Sequence, residues 1–147
     1  MAATSKPRRD RKPIQVIDIR PAGPGDQVVT LEGGSFSYRR KPCGGCPWVV
    51  ENAGTFPAEA FRHSASTAFD MSTRCFACHE SGVKSPATCA GFLLRGADHN
   101  LRVRLGRMKG EIAEDVTDGG RLLFDGYKEM AIANGVPEDD AAIADCR

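Results

Sequence analysis

The stretch from residue 41 to residue 48 reads Lys41-Pro42-Cys43-Gly44-Gly45-Cys46-Pro47-Trp48. Two thiols three positions apart, with two glycines between them, are typical of a metal-binding knuckle or a redox pair. Glycine lets the backbone turn tightly enough for both sulfurs to approach one point. Because a packed core gains nothing from a Gly-Gly pair, the pattern favours a metal site over a chance pair of buried thiols.

A second Cys-x-x-Cys pair follows at Cys75 and Cys78. Taken literally, two such pairs separated by 28 residues form a ribbon-like zinc pattern. The residues between these thiols are Phe76 and Ala77, however, so no glycine is present to form a knuckle. In an extended segment Cys75 and Cys78 would point to opposite faces. We therefore expect only Cys78 to join the site.

The fourth ligand is expected from the segment after Pro86, where a helix is predicted to begin. Cys89 would lie in the first turn of that helix, and N–H groups at a helix N-terminus favour a thiolate. His79 competes for the position and could instead contact the site from outside the ligand shell. The predicted ligands are Cys43, Cys46, Cys78 and Cys89, with His79 and Cys75 as the alternatives.

Four thiolates can hold a zinc ion or an iron–sulfur cluster. Zinc requires only a tetrahedron of ligands, and a small core gains stability from such a cross-link. Zinc is therefore the predicted cofactor. The iron–sulfur cluster remains the alternative, because some cluster motifs also end in Cys-Pro, as Cys46-Pro47 does.

Length and composition indicate one small domain. The chain has 147 residues, of which 41% are hydrophobic and 7% aromatic, so the core is modest. No apolar run approaches the roughly 20 residues of a membrane span, and the basic residues 1–12 precede no apolar stretch of a secretory signal. We expect a cytoplasmic protein. In a reducing compartment its six cysteines are better explained as ligands or buried thiols than as disulfides.

Local patterns predict an α+β fold. Ile14–Ile19 is expected to form a strand, and Val28–Leu31 is expected to pair with Ser35–Arg39 in a β-hairpin that leads into the cysteine knuckle. Helices are predicted at residues 55–66, after Pro86, after Asp98 and at Gly120–Ala133, with a short one after Pro137.

The predicted architecture is a small N-terminal β-hairpin and zinc-knuckle region, followed by a cluster of three to four α-helices around one metal site. Residues 1–12 are expected to be a disordered basic arm, because they offer almost no apolar surface to bury. Residues 13–147 are expected to form a single metal-stabilised domain. The sequence does not predict an oligomeric state.

Charge is unevenly distributed along the chain. Residues 1–42 carry a net charge of +5 and residues 110–147 carry −7, within an overall charge of +1. Basic groups beside a rigid metal knuckle can contact phosphates, although the same residues could simply be a solvated surface. The candidate polyanion-binding residues are Arg39, Arg40, Lys41, Arg102, Arg104, Arg107 and Lys109.

Four short motifs together resemble a family of small uncharacterised proteins found in bacteriophages and in bacterial genomes, often in prophage regions. The motifs are the Lys41–Trp48 stretch, Gly54-Thr55-Phe56-Pro57, Phe76-Ala77-Cys78-His79 and Cys89-Ala90-Gly91-Phe92. The likeness runs from about Lys41 to Gly135. It implies no activity, and Cys75 lies outside its pattern.

The favoured function is a non-enzymatic, metal-stabilised module that binds nucleic acid or a host protein. One alternative is a thiol redox enzyme that uses Cys43 and Cys46, but such a site needs a βαβ context that is not predicted here. A metallohydrolase needs an open coordination position, which four cysteines would close unless His79 or Glu80 replaced one of them. No catalytic residue is therefore assigned.

Overall fold

The computed structural model describes residues 14–23, 26–32, 37–81 and 85–147. Its sheet has three antiparallel strands in the order β1-β2-β3. Val and Ile, whose branched side chains suit a pleated surface, recur through the two long strands. The strands are β1 (Gln15–Gly23), β2 (Asp26–Glu32) and β3 (Cys75–Phe76).

The predicted hairpin between Val28–Leu31 and Ser35–Arg39 lies partly outside the described residues, and its described part, residues 37–39, does not pair with β2. The strand β2 pairs with β1 on one side, where Val16 faces Leu31, and with β3 on the other, where Cys75 faces Leu31. Because both edges of β2 are occupied, the segment around Tyr38 cannot pair with it. Tyr38 instead pairs with Thr88 in a parallel bridge.

In the part of the chain that the structure describes, four short helices follow β2. They are α1 (Ala58–Ser64), α2 (Ala90–Arg95), α3 (Leu101–Met108) and α4 (Tyr127–Ala133). Single 3₁₀ turns occur at Val50–Asn52, Ala65–Ala68 and Ala141–Ile143. The combination of a small antiparallel sheet and four helices confirms the predicted α+β class.

The predicted helix Gly120–Ala133 is only half helical. Its second half is α4, whereas Leu123 lies in an extended segment that pairs with Val49. Gly119 and Gly120 have φ values of 64° and 80°, which turn the chain into this segment. The apolar spacing of residues 123–131 therefore reflects two elements that reach the same core.

The helix α3 also differs from its prediction. Asn100, not Asp98, is its N-cap, and the Asn100 side chain accepts a hydrogen bond from the Val103 N–H. Leu105 and Met108, which recur about one turn apart, are 38% and 82% exposed. The face that packs inward carries Val103 and Gly106.

The core is built around Trp48, which is fully buried. Its ring centroid lies 5.8 Å from Phe76, 6.1 Å from Tyr127 and 6.4 Å from Phe92. These aromatic rings come from the knuckle region, β3, α2 and α4. The residue that directly follows the Cys46-Pro47 pair thus joins the small β portion to the helices.

The predicted disordered arm, residues 1–12, lies outside the described residues. Among the residues that are described, no helix is long and apolar enough to cross a membrane.

Candidate metal centre

The knuckle loop, residues 43–46, is a tight turn. The Cys46 N–H donates to the Cys43 carbonyl at 3.1 Å, and the Val49 N–H donates to the Cys46 carbonyl at 3.2 Å. This second bond carries the chain inward, so that Trp48 enters the core while Gly44 stays exposed. The local sequence thus places two thiols at the boundary between the surface and the core.

Three extended segments bring the distant cysteines to this loop. The Cys78 N–H donates to the Ala87 carbonyl at 2.7 Å, and the Cys89 N–H donates to the Phe76 carbonyl at 2.9 Å. On the other side of this pair, the Arg39 N–H donates to the Thr88 carbonyl at 2.9 Å. The segment that leads into Cys43 therefore lies beside the one that carries Cys89.

The position predicted for Cys89 needs one correction. The helix α2 begins at Ala90, and Cys89 is its N-cap residue with extended backbone dihedrals. The residues after Pro86 are extended because they pair with residues 76–78. Cys89 consequently lies just before the helix and not in its first turn.

The four thiols predicted as ligands lie in one connected cluster. The Sγ atoms of Cys46 and Cys89 are 3.6 Å apart. Cys43 hydrogen-bonds through its side chain to both Cys46 and Cys78. The contacts run from one thiol to the next, and no group of three or more His, Cys, Asp or Glu side chains in the described residues is arranged to hold a metal ion.

These contacts favour protonated thiols. The hydrogen bond from Cys43 favours the Cys46 thiolate, but the Cys89 hydrogen bond and burial outweigh it and raise the pKa of Cys46 to about 12. The hydrogen bond with Cys43, together with burial, raises the pKa of Cys78. The pKa of Cys43 is also raised, mainly by its hydrogen bond with Cys46. A redox nucleophile needs the opposite shift, so the cluster offers little support for a redox enzyme.

Of the two alternative ligands, Cys75 lies in the core and His79 lies over the knuckle loop. Cys75 is fully buried in β3, and burial raises its pKa to about 12. His79 is exposed, and its ring packs edge-on against Phe56 with 4.9 Å between centroids. A Cβ on Gly45 would lie 3.2 Å from the His79 ring, so this ring covers the knuckle loop from outside.

The candidate polyanion-binding residues divide into two groups. Three already contact acceptors in the chain: Arg40 pairs with Asp115 at 2.6 Å, Arg102 pairs with Glu111 at 2.9 Å, and Arg107 donates to the Leu93 carbonyl at 2.7 Å. The other four, Arg39, Lys41, Arg104 and Lys109, are exposed, and so are Arg40 and Arg107. Arg102 is therefore the one candidate of the seven that is not exposed, and three of the seven already contact acceptors within the chain.

Two residues that sequence reasoning missed hold the knuckle loop. Asn52 and Arg121 donate side-chain hydrogen bonds to the carbonyl groups of Cys43, Gly44 and Cys46. Asn52 lies close in sequence, in the segment Asn52-Ala53-Gly54, where Asn and Gly favour a turn. Arg121 is 78 residues from Cys43, and no spacing rule points to it.

The comparisons with known proteins identify a family but no activity. A model of a family of unknown function, DUF6283, matches residues 38–147. The chain belongs to this family. The DUF6283 region contains all four clustered cysteines, Asn52 and Arg121, whereas β1 and β2 precede it. The resemblance to an uncharacterised family is therefore confirmed. No curated protein and no solved structure matches the chain.

Proposed function

We propose that this protein binds one structural zinc ion through Cys43, Cys46, Cys78 and Cys89. The observation that carries the proposal is the thiol cluster, in which the sulfurs of Cys46 and Cys89 are 3.6 Å apart and Cys43 interacts with both Cys46 and Cys78. Three separate segments of chain converge to make these contacts. Free thiols gain little from such clustering, because S–H groups are weak donors.

The sulfur spacing is close to that of a zinc site. Zn–S bonds of about 2.3 Å place two sulfurs of a tetrahedron about 3.8 Å apart. The Cys46 and Cys89 sulfurs are 3.6 Å apart. Binding would replace S–H···S contacts by metal–sulfur bonds, so the thiols must lose protons and rotate toward a common centre.

One ion fits this spacing better than an iron–sulfur cluster does. A cluster places several irons and bridging sulfides between the four thiolates, which separates some of the cysteine sulfurs well beyond contact. Here the sulfurs of Cys46 and Cys89 are in contact, at 3.6 Å. The iron–sulfur cluster is retained as the alternative cofactor, because the same four thiolates could hold it.

We further propose that the metal supports a binding or regulatory module and not an enzyme. Four cysteines would close the coordination shell, which leaves no position for a substrate or an activated water. The partner would be nucleic acid or a host protein, with the exposed Arg39, Lys41, Arg104 and Lys109 as contacts. The phage or prophage origin implied by the motif resemblance, and a bacterial cytoplasm as the setting, belong to this proposal.

Metal analysis and the ultraviolet–visible spectrum of anaerobically purified protein test the cofactor. We expect one zinc per chain and no visible absorption. Replacement of zinc by Co²⁺ should produce the intense thiolate-to-metal bands of a tetrahedral sulfur site. Iron with sulfide and a brown colour would favour the cluster, and protein that takes up neither metal would overturn the proposal.

Salt dependence tests the nucleic-acid partner. Phosphate contacts release counterions, so affinity for a single-stranded or duplex probe should fall steeply with added salt. Exchanging Arg39 and Lys41 for glutamine should reduce that slope by about one to two. Absence of binding to any probe at low salt would leave the host protein as the partner.

A further inference from the structure

We propose that Arg121 and Asn52 are positioning residues that preset the knuckle loop for the metal. This inference rests on the proposed zinc site and extends it beyond the four ligands. Neither Arg121 nor Asn52 is a proposed metal ligand. Each contacts the loop only through hydrogen bonds to its backbone carbonyl groups.

The two side chains hold the loop through four hydrogen bonds. Arg121 donates from Nη1 to the Cys43 carbonyl at 2.7 Å and from Nη2 to the Gly44 carbonyl at 3.2 Å. Asn52 donates from Nδ2 to the Gly44 carbonyl at 3.1 Å and to the Cys46 carbonyl at 2.9 Å. Both carbonyl groups that precede Gly45 in the loop are thus held by side chains from elsewhere in the fold.

These bonds compensate for a weakness of the loop sequence. Gly44 and Gly45 allow the tight turn, but glycine also has the largest backbone freedom to lose when it becomes ordered. In a trans peptide the C=O and the following N–H point in opposite directions. Fixing the Cys43 and Gly44 carbonyls therefore also fixes the Gly44 and Gly45 N–H groups. These N–H groups point away from Arg121 and Asn52.

Arg121 also places a positive charge beside the loop. A zinc ion with four thiolates would carry a net charge of −2, and the guanidinium that donates to the Cys43 carbonyl would attract it. Loss of this charge should therefore weaken metal binding.

The experiment compares zinc affinity among variants of the full chain, measured by competition with a chromophoric chelator. Arg121→Gln removes the charge and the forked donor, Arg121→Lys keeps only the charge, and Asn52→Ala removes the other donor. Arg62→Gln is the matched control, because Arg62 also makes two side-chain bonds, to Glu59 and Asp140, away from the loop. Melting temperatures in the presence of chelator report any general loss of stability.

We expect Arg121→Gln and Asn52→Ala to bind zinc about 10- to 100-fold more weakly, as is typical when a group that orients a ligand is removed. Arg121→Lys should fall between Arg121→Gln and the unaltered chain, and Arg62→Gln should bind zinc normally. If the unaltered chain binds zinc and the loop variants bind it equally well, the positioning role is overturned while the zinc site stands. If the unaltered chain binds no zinc, both proposals fall.

Discussion

At the scale of single residues, the packing of α2 on Trp48 depends on two glycines. A Cβ built on Gly91 would lie 2.5 Å from the Trp48 Cβ, and one on Gly96 would lie 2.4 Å from the Trp48 ring. Real Cβ atoms do not approach other heavy atoms this closely. The flat face of α2 thus allows the indole to lie directly against the helix backbone, which sets the distance between the helix and the knuckle.

We predict that Gly91→Ala lowers the free energy of unfolding by roughly 1–3 kcal/mol, the usual range for overpacking a core. Alanine is the better helix former by about 0.5–1 kcal/mol, so the clash outweighs the gain in propensity. Chemical denaturation measures the change. Gly106→Ala in α3 is the control, because its Cβ would meet the ends of the Ile112 and Arg102 side chains, at 3.1 Å and 3.4 Å. Equal effects of the two changes would contradict this account.

The two members of the second Cys-x-x-Cys pair should behave differently. Cys78→Ser removes a thiol of the cluster and should abolish zinc binding. Cys75→Ser should retain one zinc per chain but lower the melting temperature, because it places a hydroxyl in a fully buried position. Metal analysis of both variants measures the number of zinc ions bound per chain. Loss of zinc from both variants would support the literal double Cys-x-x-Cys pattern instead.

At the scale of elements, the carboxylate of Asp140 connects the 3₁₀ turn Ala141–Ile143 to α1. Asp140 accepts a hydrogen bond from the Ala142 N–H at 2.9 Å and one from Arg62 at 3.0 Å. The backbone bond first, and then Arg62, hold the pKa of Asp140 below its ordinary value. This C-terminal turn should therefore respond to acid.

The sign of the response follows from that shift. A carboxyl group with a lower pKa in the folded state stabilises the fold fully above its unfolded pKa, about 3.9, and this stabilisation is lost as the pH falls through the folded value. We predict that Asp140→Asn loses less melting temperature between pH 7 and pH 3 than the unaltered chain does. The neighbouring exposed Asp139, changed to Asn, is the control. Parallel pH profiles for all three proteins would exclude this role for Asp140.

The elements also show how far local sequence patterns reach. A helix was predicted after Pro86, where α2 lies, and the predicted end of a helix at Ala133 is the end of α4, which Gly135 follows with a φ of 99°. Pairing partners could not be predicted in the same way. The choice of β1 and β3 as neighbours of β2 depends on contacts between residues far apart in the chain, which periodicity does not encode.

The site shows the same limit. Turn chemistry and strand alternation are local, and they suggested that Cys43, Cys46 and Cys78 belong together; the position of Cys89 just before α2 was not predicted, and the role of the four thiols as ligands stays a prediction. The roles of Arg121 and Asn52 could not be predicted, because a side chain that binds a backbone carbonyl leaves no pattern at the residue it binds. Likewise, the sequence favours a basic surface at Arg40 and Arg102, but only the fold reveals Asp115 and Glu111 beside them.

At the scale of the whole molecule, the cluster joins segments that are far apart in sequence. Cys43 and Cys89 lie on opposite sides of α1 and β3 in the chain, so a metal would close a loop of more than forty residues. The Trp48 core should survive metal removal in part, since its aromatic contacts do not involve the thiols. The knuckle and the paired segments beside it should not.

We therefore predict that chelation accelerates hydrogen exchange at the amides of Cys46, Cys78 and Cys89, which bond within the site region. The amide of Asn134, which bonds to the Met130 carbonyl in α4, should stay protected longer. Uniform acceleration would show that the whole domain unfolds with the metal. Unchanged protection at the three cysteine amides would show that the metal does not stabilise the loop.

The most direct test of the central claim is native mass spectrometry of the full chain, purified anaerobically from cells supplied with zinc. The account predicts one zinc ion per chain, lost on changing Cys43, Cys46, Cys78 or Cys89 singly to serine and retained in Cys75→Ser. Unaltered protein that carries no metal, or full zinc occupancy in the Cys78→Ser variant, would contradict it.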